Sequence, residues 1–175
     1  MSNHPLHLFK FCPRCGSDWF HENNFKSKKC GECEFVYYFN ASAATAAFII
    51  DSEGRLLVAK RANEPAKGTL DLPGGFADMY ETAEEAISRE IEEETGLKIK
   101  QLSYLFSIPN IYIYSGFEVH TVDMFFEAEV KEISLMRAAD DVAALFWLRP
   151  EEIHPELFGL TSIRKAVEKW LEMCS

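Results

Sequence analysis

A chain of 175 residues, 47% hydrophobic and 26% charged, suits one medium domain with a small appendage and has the balance of an ordinary soluble globular protein. A net charge of −10 argues against a broad nucleic-acid or anionic-membrane surface, although an acidic protein can handle phosphates when divalent cations stand between. No apolar run reaches membrane-spanning length, and "MSNHPLHLFKFC" lacks a signal-peptide pattern, so a cytoplasmic location away from the membrane is expected.

The acid is unevenly spread. Residues 1–40 hold five basic and four acidic side chains, so that segment is +1 and the remainder −11. The shift near Asn40 predicts two units, 1–40 and 41–175, with no internal repeat. In the first, Cys12-Pro-Arg-Cys15 and Cys30-Gly-Glu-Cys33 form two C-x-x-C pairs with fourteen residues between. Two such knuckles supply the closed tetrahedral thiolate shell that structural Zn²⁺ prefers. The alternatives are four ordinary buried thiols or two disulfides. Paired spacing argues against the first and a reducing compartment against the second. The segment resembles a zinc ribbon, and its near-neutral charge makes scaffolding or a homodimer contact the expected role. Cys174, the fifth cysteine, reads as incidental.

In the second unit, "ATAAFIID" and "GRLLVAKR" read as strands around a Ser52-Glu53-Gly54 turn, and "KGTLDLPGGF" as a short extended segment ending in a glycine pair. Thr82 and Glu85 form a capping box that starts a helix, and Gly96 is its natural stop. "KIKQLSYLFSIPNIYIY" and "FEVHTVDMFFEAEV" read as strands about a Ser115-Gly116 turn, and "AALFWL" as another strand after the Asp140-Asp141 loop. Leu160, Ile163, Val167, Trp170 and Leu171 recur at helical spacing near the end. Strands mixed with two helices predict an α/β or α+β sandwich.

The densest acid lies in "REIEEETGL", where four of the five residues from Glu90 to Glu94 are glutamates. At about 100° per residue, Ala83, Ile87 and Ile91 form an apolar stripe widened by Ala86. Glu90, Glu93 and Glu94 share one side, with Glu94 almost on the stripe, while Glu92 points to solvent. A solvated acidic helix accounts for Glu84, Glu85 and Glu92. It fits Glu90 and Glu94 poorly, because a carboxylate against a core needs a cation. Oxygen ligands that leave room for water and phosphate suit Mg²⁺ or Mn²⁺.

Gly75, five residues, Glu81, seven residues, then Arg89-Glu90-Ile91-Glu92-Glu93-Glu94-Thr95-Gly96-Leu97 resembles a complete Nudix box, G-x5-E-x7-R-E-U-x-E-E-x-G-U with U aliphatic. The resemblance implies a Nudix α/β/α sandwich with a mixed sheet. It also implies metal-dependent hydrolysis of the diphosphate bond in a nucleoside diphosphate linked to another moiety. Carried over to these positions, Glu90, Glu93 and Glu94 hold the catalytic metals with the Gly75 carbonyl. Arg89 holds a box carboxylate, and Glu81 is a second-layer carboxylate or an outer metal contact. Gly74 and Gly75 let the backbone come close to the phosphates. The alternative for Arg89 is a surface pairing with Glu85 or Glu93. Many members carry a base in the loop before a strand like "DDVAALFWL", where Asp141 matches best as base or extra ligand. A loop or capping aspartate is its alternative.

A zinc ribbon ahead of this box is the layout of the NADH pyrophosphatases, which also carry "SQPWPFPxS" after the box. The corresponding stretch here is "SIPNIYIYSG", Ser107 to Gly116, which shares only the leading Ser and a Pro, so ADP-ribose, another nucleotide sugar and a dinucleotide such as NADH or FAD all stay open as small-molecule substrates, with an ADP-ribose-like one preferred. Tyr112, Tyr114 and Phe117 offer stacking surfaces for a base, or simply pack in a strand. The rival of another class is a nucleotide-sensing regulator without activity. Such domains often lose box glutamates, and this box is intact.

Overall fold

The computed structural model describes residues 4–174, with the side chains of Tyr112 and Cys174 outside the described part. The chain folds as two compact units that divide between Ala41 and Ser42.

In the first unit, β1 (Phe20–Asn24), β2 (Ser27–Cys30) and β3 (Val36–Tyr38) form an antiparallel sheet in that order. Its buried apolar cluster is Cys12, Phe20 and Cys30, with Cys33 and Phe35 packed on it.

Among the described residues, the second unit has six strands and two α-helices, with three short 3-10 turns besides, in near agreement with the sequence reading. Strands β4 (Ser42–Ile49), β8 (Phe117–Lys131) and β7 (Lys98–Tyr114) form one sheet. It is mixed, because β4 runs parallel to β8 and β8 antiparallel to β7. Strands β6 (Leu70–Asp71), β5 (Leu56–Arg61) and β9 (Val142–Leu148) form an antiparallel second sheet. The β7–β8 hairpin turns at Ser115 and Gly116, both at positive φ. Pro109 sits within β7, which it can do because β7 is an edge strand and its missing N–H breaks no inner ladder.

Alternate residues of the strands feed two cores. Ala46 and Phe48 of β4, Leu56 and Val58 of β5 and Phe125 of β8 pack with Ile163, Ala166, Val167 and Trp170 of α2 (Thr161–Cys174). Ala47, Ile49, Leu57 and Phe126 pack instead with Ile87 and Ile91 of α1 (Ala83–Thr95). The sheets therefore lie between α1 and α2 in an α/β/α sandwich, and their strands are apolar on both faces as such burial requires. Phe48 stacks on Trp170 with ring centroids 5.2 Å apart, adding about 1 kcal/mol to the area that each ring buries.

Helix α1 begins as expected. Thr82 Oγ1 accepts the Glu85 N–H at 3.2 Å, and Glu85 Oε2 accepts the Thr82 N–H at 2.8 Å. It ends at Gly96 in the left-handed conformation, φ 70°, whose N–H donates to the Glu92 carbonyl. These two ends set the rotation of the helix and hence the direction of its glutamates.

Candidate active site

Glu94 is buried on the apolar side of α1, and its Oε2 accepts the Gly74 N–H at 2.9 Å. Burial pushes its carboxyl up to about 8, with Asp71, Glu90 and Asp140 adding to the rise and the Gly74 N–H opposing it. Glu90, one turn earlier and half-buried, is raised by burial while Arg89 pulls it down. Glu93 is exposed on its outer side. Glu92 faces away from this group, exposed, with Lys98 at 3.4 Å. The wheel reading thus locates all four glutamates correctly relative to the core.

Arg89 gathers the acids around it. Its Nε and Nη2 donate to the two oxygens of Glu81 at 2.8 and 2.9 Å, and Nη1 reaches Glu90 at 2.9 Å and Glu93 at 3.0 Å. Nη2 also donates to the Phe76 carbonyl at 3.0 Å, which ties the helix to the loop after the glycines. Glu85 is occupied with its cap, so of the two surface partners weighed for Arg89 only Glu93 is met. The paired hydrogen bonds from Arg89 hold the Glu81 carboxyl down at about 2, helped by the Asp78 N–H.

The glycine pair is dictated by space. Gly74 has φ 149°, and a Cβ there would stand 2.1 Å from the Thr45 carbonyl oxygen. A Cβ on Gly75 would stand 2.5 Å from Glu90 Oε1. The Gly75 carbonyl accepts the Thr45 N–H at 2.8 Å and the Thr45 hydroxyl at 3.3 Å, which pins the loop to β4.

Gly74, Gly75, Glu94 and Asp141 line a cleft of about 730 Å³ in the second unit, which also takes in Arg61, Asp71, Thr121 and Asp123. Asp141 is exposed and its Oδ1 accepts from Asn63 at 2.6 Å. Its neighbour Asp140 is near enough to raise both Glu90 and Glu94. Asp71 is buried beside Arg61, and burial lifts its proton affinity against the pull of that guanidinium. The sequence reading missed Asp71, Asp123 and Asp140 as neighbours of the box. For Asp123 a signal existed: "HTVDMF" puts Thr121 and Asp123 on the same strand face as the core residue Phe125. Tyr114 lines the cleft, Phe117 is half-buried, and the Tyr112 side chain lies outside the described residues.

Hard oxygen donors, with a buried carboxylate that has other acids as neighbours, fit a divalent cation. The two guanidiniums of Arg61 and Arg89 cannot neutralise this many charges. Among the described residues, the tight convergence of ligand atoms is in the first unit. There the four sulfurs of Cys12, Cys15, Cys30 and Cys33 lie within 4.8 Å of one another. Cys12 and Cys33 are 3.7 Å apart and Cys15 and Cys30 3.6 Å. Backbone N–H groups of Cys33 and Glu32 help to lower the Cys30 thiol to about 6, whereas Cys15, despite the downward pull of the Ser17 backbone, is pushed up to about 12 by the neighbouring thiols and burial, as one proton shared among close sulfurs requires.

Residues 40–171 match the NUDIX domain model, and the chain belongs to that family. It is 30% identical over 174 residues to the NAD-capped RNA hydrolase NudC of Haemophilus influenzae, covering 98% of this chain and 64% of that protein. It is 50% identical over 64 residues to the ADP-ribose pyrophosphatase of Methanocaldococcus jannaschii, covering 35% of this chain and 38% of that protein. The chain thus spans 38% and 64% of the lengths of these two relatives. The crystal structure of a NUDIX hydrolase from Nitrosomonas europaea shares the fold, with a TM-score of 0.72, 21% identity, and coverage of 93% and 90% of the two chains. Among the described residues, no helix is long and apolar enough to cross a membrane.

Proposed function

We propose that this protein hydrolyses the diphosphate bond of a nucleoside diphosphate linked to another moiety, with an ADP-ribose-like substrate preferred. The observation that carries the reading is the glutamate face of α1, with buried Glu94 tied to the Gly74 loop at the wall of a cleft. Mg²⁺ or Mn²⁺ held by Glu90, Glu93 and Glu94 would screen the diphosphate and acidify the attacking water. Arg89 keeps Glu81, Glu90 and Glu93 in position through its fan of hydrogen bonds. Gly74 and Gly75 let the backbone pass tightly against Thr45 and Glu90, which brings the loop to the cleft wall where phosphates would approach. Asp141, on the cleft rim, is the proposed base or extra ligand, and as base it takes a proton from water at a carboxylate oxygen.

In the same reading, residues 1–40 form a structural zinc ribbon on Cys12, Cys15, Cys30 and Cys33, and residues 41–175 the catalytic domain of a cytoplasmic enzyme. A second reading, NADH pyrophosphatase, is favoured by the ribbon-plus-box layout and by the NudC relative. The stretch Ser107 to Gly116 separates the two. NADH and ADP-ribose share the diphosphate and the adenosine half, so discrimination rests on contacts to the second half. Such contacts are commonly worth about 1–3 kcal/mol. A product assay over a panel of diphosphate compounds with each metal tests activity itself, and no turnover of any would favour a nucleotide sensor. Side-by-side kinetics should give a kcat/KM for ADP-ribose at least comparable with that for NADH. A preference for NADH of about tenfold or more under both metals would make the second reading the right one.

A further inference from the structure

The segments around Asn63 and Asp141, 78 residues apart in the chain, meet twice. The Ala62 N–H donates to the Asp141 carbonyl at 2.9 Å, which carries the pairing of β5 with β9 one step past Arg61 and Val142. Beyond it, Asn63 Nδ2 donates to Asp141 Oδ1 at 2.6 Å, and both residues line the cleft. A carboxylate offers only acceptors to such a partner, so the amide turns its NH₂ end towards it. The ladder slips just before this point. Lys60 faces Ala144 and Arg61 faces Val142, which leaves Ala143 as an extra residue on β9. Such a bulge breaks the alternation of strand faces and re-aims the side chains beside it.

The two partners differ in how firmly they are held. Asn63 belongs to the loop after β5, whose neck is closed by the Arg61 N–H on the Thr69 carbonyl and the Gly68 N–H on the Arg61 carbonyl, each at 3.0 Å. The Arg61 guanidinium braces the same loop, donating to the Pro65 carbonyl at 2.7 Å while it pairs with Asp71. The Asp141 side chain is exposed, and among the described residues Asn63 supplies the hydrogen bond that holds it. A loose carboxylate on a rim turns about its side-chain bonds, and a base meets a given water proton in only a small part of that range. With Oδ1 engaged, Oδ2 is the oxygen left for the water.

We propose that Asn63 is a positioning residue for the hydrolysis, holding Asp141 by one oxygen and presenting the other to the attacking water. Oδ2 takes the water proton as the water oxygen bonds to phosphorus and the P–O bond to the leaving phosphate breaks. The inference rests on the base reading of Asp141 and goes further by naming what aims it. Both side chains are exposed, and substitutions at such places change stability little, so lost turnover in a folded variant reads the aiming itself.

Kinetics with Mg²⁺ and the diphosphate compound that the unaltered protein turns over fastest test it, with a thermal melt for each variant. Asn63→Ala should lower kcat about tenfold and leave KM within about twofold. Asn63→Asp, the same shape with an acceptor in place of the donor, should lower kcat at least as much, whereas a packing role would survive that exchange. Asp141→Ala should cost about 100-fold. The double variant of Asn63→Ala and Asp141→Ala should stay within about twofold of Asp141→Ala, because the group to be aimed is already gone. Multiplied losses, about 1000-fold in the double variant, overturn the assignment. The metal-free protein gives a readout apart from catalysis, the side-chain amide resonances of Asn63. Asp141→Ala should shift them to the position of a free amide, and Glu92→Gln should leave them in place. Resonances that Asp141→Ala does not move also overturn it. Should Asp141→Ala fail to fold, the kcat and KM of the two Asn63 variants carry the test. The failures are separable. Full turnover in Asp141→Ala sinks the base reading and the positioning role with it. Loss in Asp141→Ala, with full turnover in both Asn63 variants, sinks the positioning role alone.

Discussion

Among the described residues, the first unit buries three in its apolar cluster, Cys12, Phe20 and Cys30, whereas the second buries clusters of thirteen and eight. Two of the three are cysteines whose sulfurs point at one spot together with those of Cys15 and Cys33. So small a cluster supplies little burial energy, and the unit needs a staple. The second unit needs none, so its polar residues are free to serve a site, and its buried acids stand where a cleft reaches the sheets. The contrast teaches where each unit is vulnerable: one at its four thiols, the other at the few polar groups set into an apolar frame.

The largest expected effect is on the first unit. Protein purified without added metal should carry about one zinc per chain, worth on the order of 10 kcal/mol to that unit. Cys30→Ser should abolish hydrogen-exchange protection across residues 20–38 and leave protection in α1 and β8 intact. A zinc content near zero, with four freely reactive thiols in the native protein, would end the contrast. The second effect falls on chemistry with folding unchanged. Glu93→Gln or Glu94→Gln should lower turnover about 100-fold, and Glu92→Gln should stay within about twofold of the parent. Equal losses at Glu92 and Glu94 would mean that the exposed and buried sides of α1 do not divide the work.

Smaller effects sharpen the picture of the apolar frame. Gly74→Ala drives a Cβ into the Thr45 carbonyl, and thermal unfolding should report a loss of about 2–3 kcal/mol. A melt unchanged from the parent would show that the loop can move off β4. The smallest concerns Asp51 at the turn before β5. Burial works to raise its carboxyl, but the Arg55 backbone N–H and guanidinium outweigh it and hold the group below the usual range. A depressed carboxyl adds stability above its unfolded pKa of about 3.9 and loses it as pH falls through the folded value. Asp51→Asn should therefore cost about 1 kcal/mol at neutral pH and progressively less in acid. A difference constant across that range would deny the ionic part of the bond.

Much of the second unit was legible because its signals are local. Thr82, Glu85 and Gly96 state where α1 begins and ends, and the 100° spacing of Ile87 and Ile91 states which side is buried. Turn residues Ser115 and Gly116 mark the hairpin, and the C-x-x-C pairs mark the thiol cluster before any coordinate is known. Such features depend on residues a few positions apart, and chain geometry alone brings those together. Tertiary structure decided the rest. Arg89 could have chosen Glu85, but the cap claims Glu85 while the loop from Phe76 to Glu81 folds back onto the guanidinium. Asp71, Asp123 and Asp140 sit dozens of residues from Glu94 or on other strands, and only the stacking of β6, β8 and the loop before β9 puts their charges near one cleft. Sequence spacing carries no record of that approach, because it arises from the pairing of β4 with β8 and of β5 with β9 across long stretches of chain. Whether a buried acid is a liability or part of a site depends on what those pairings place opposite it.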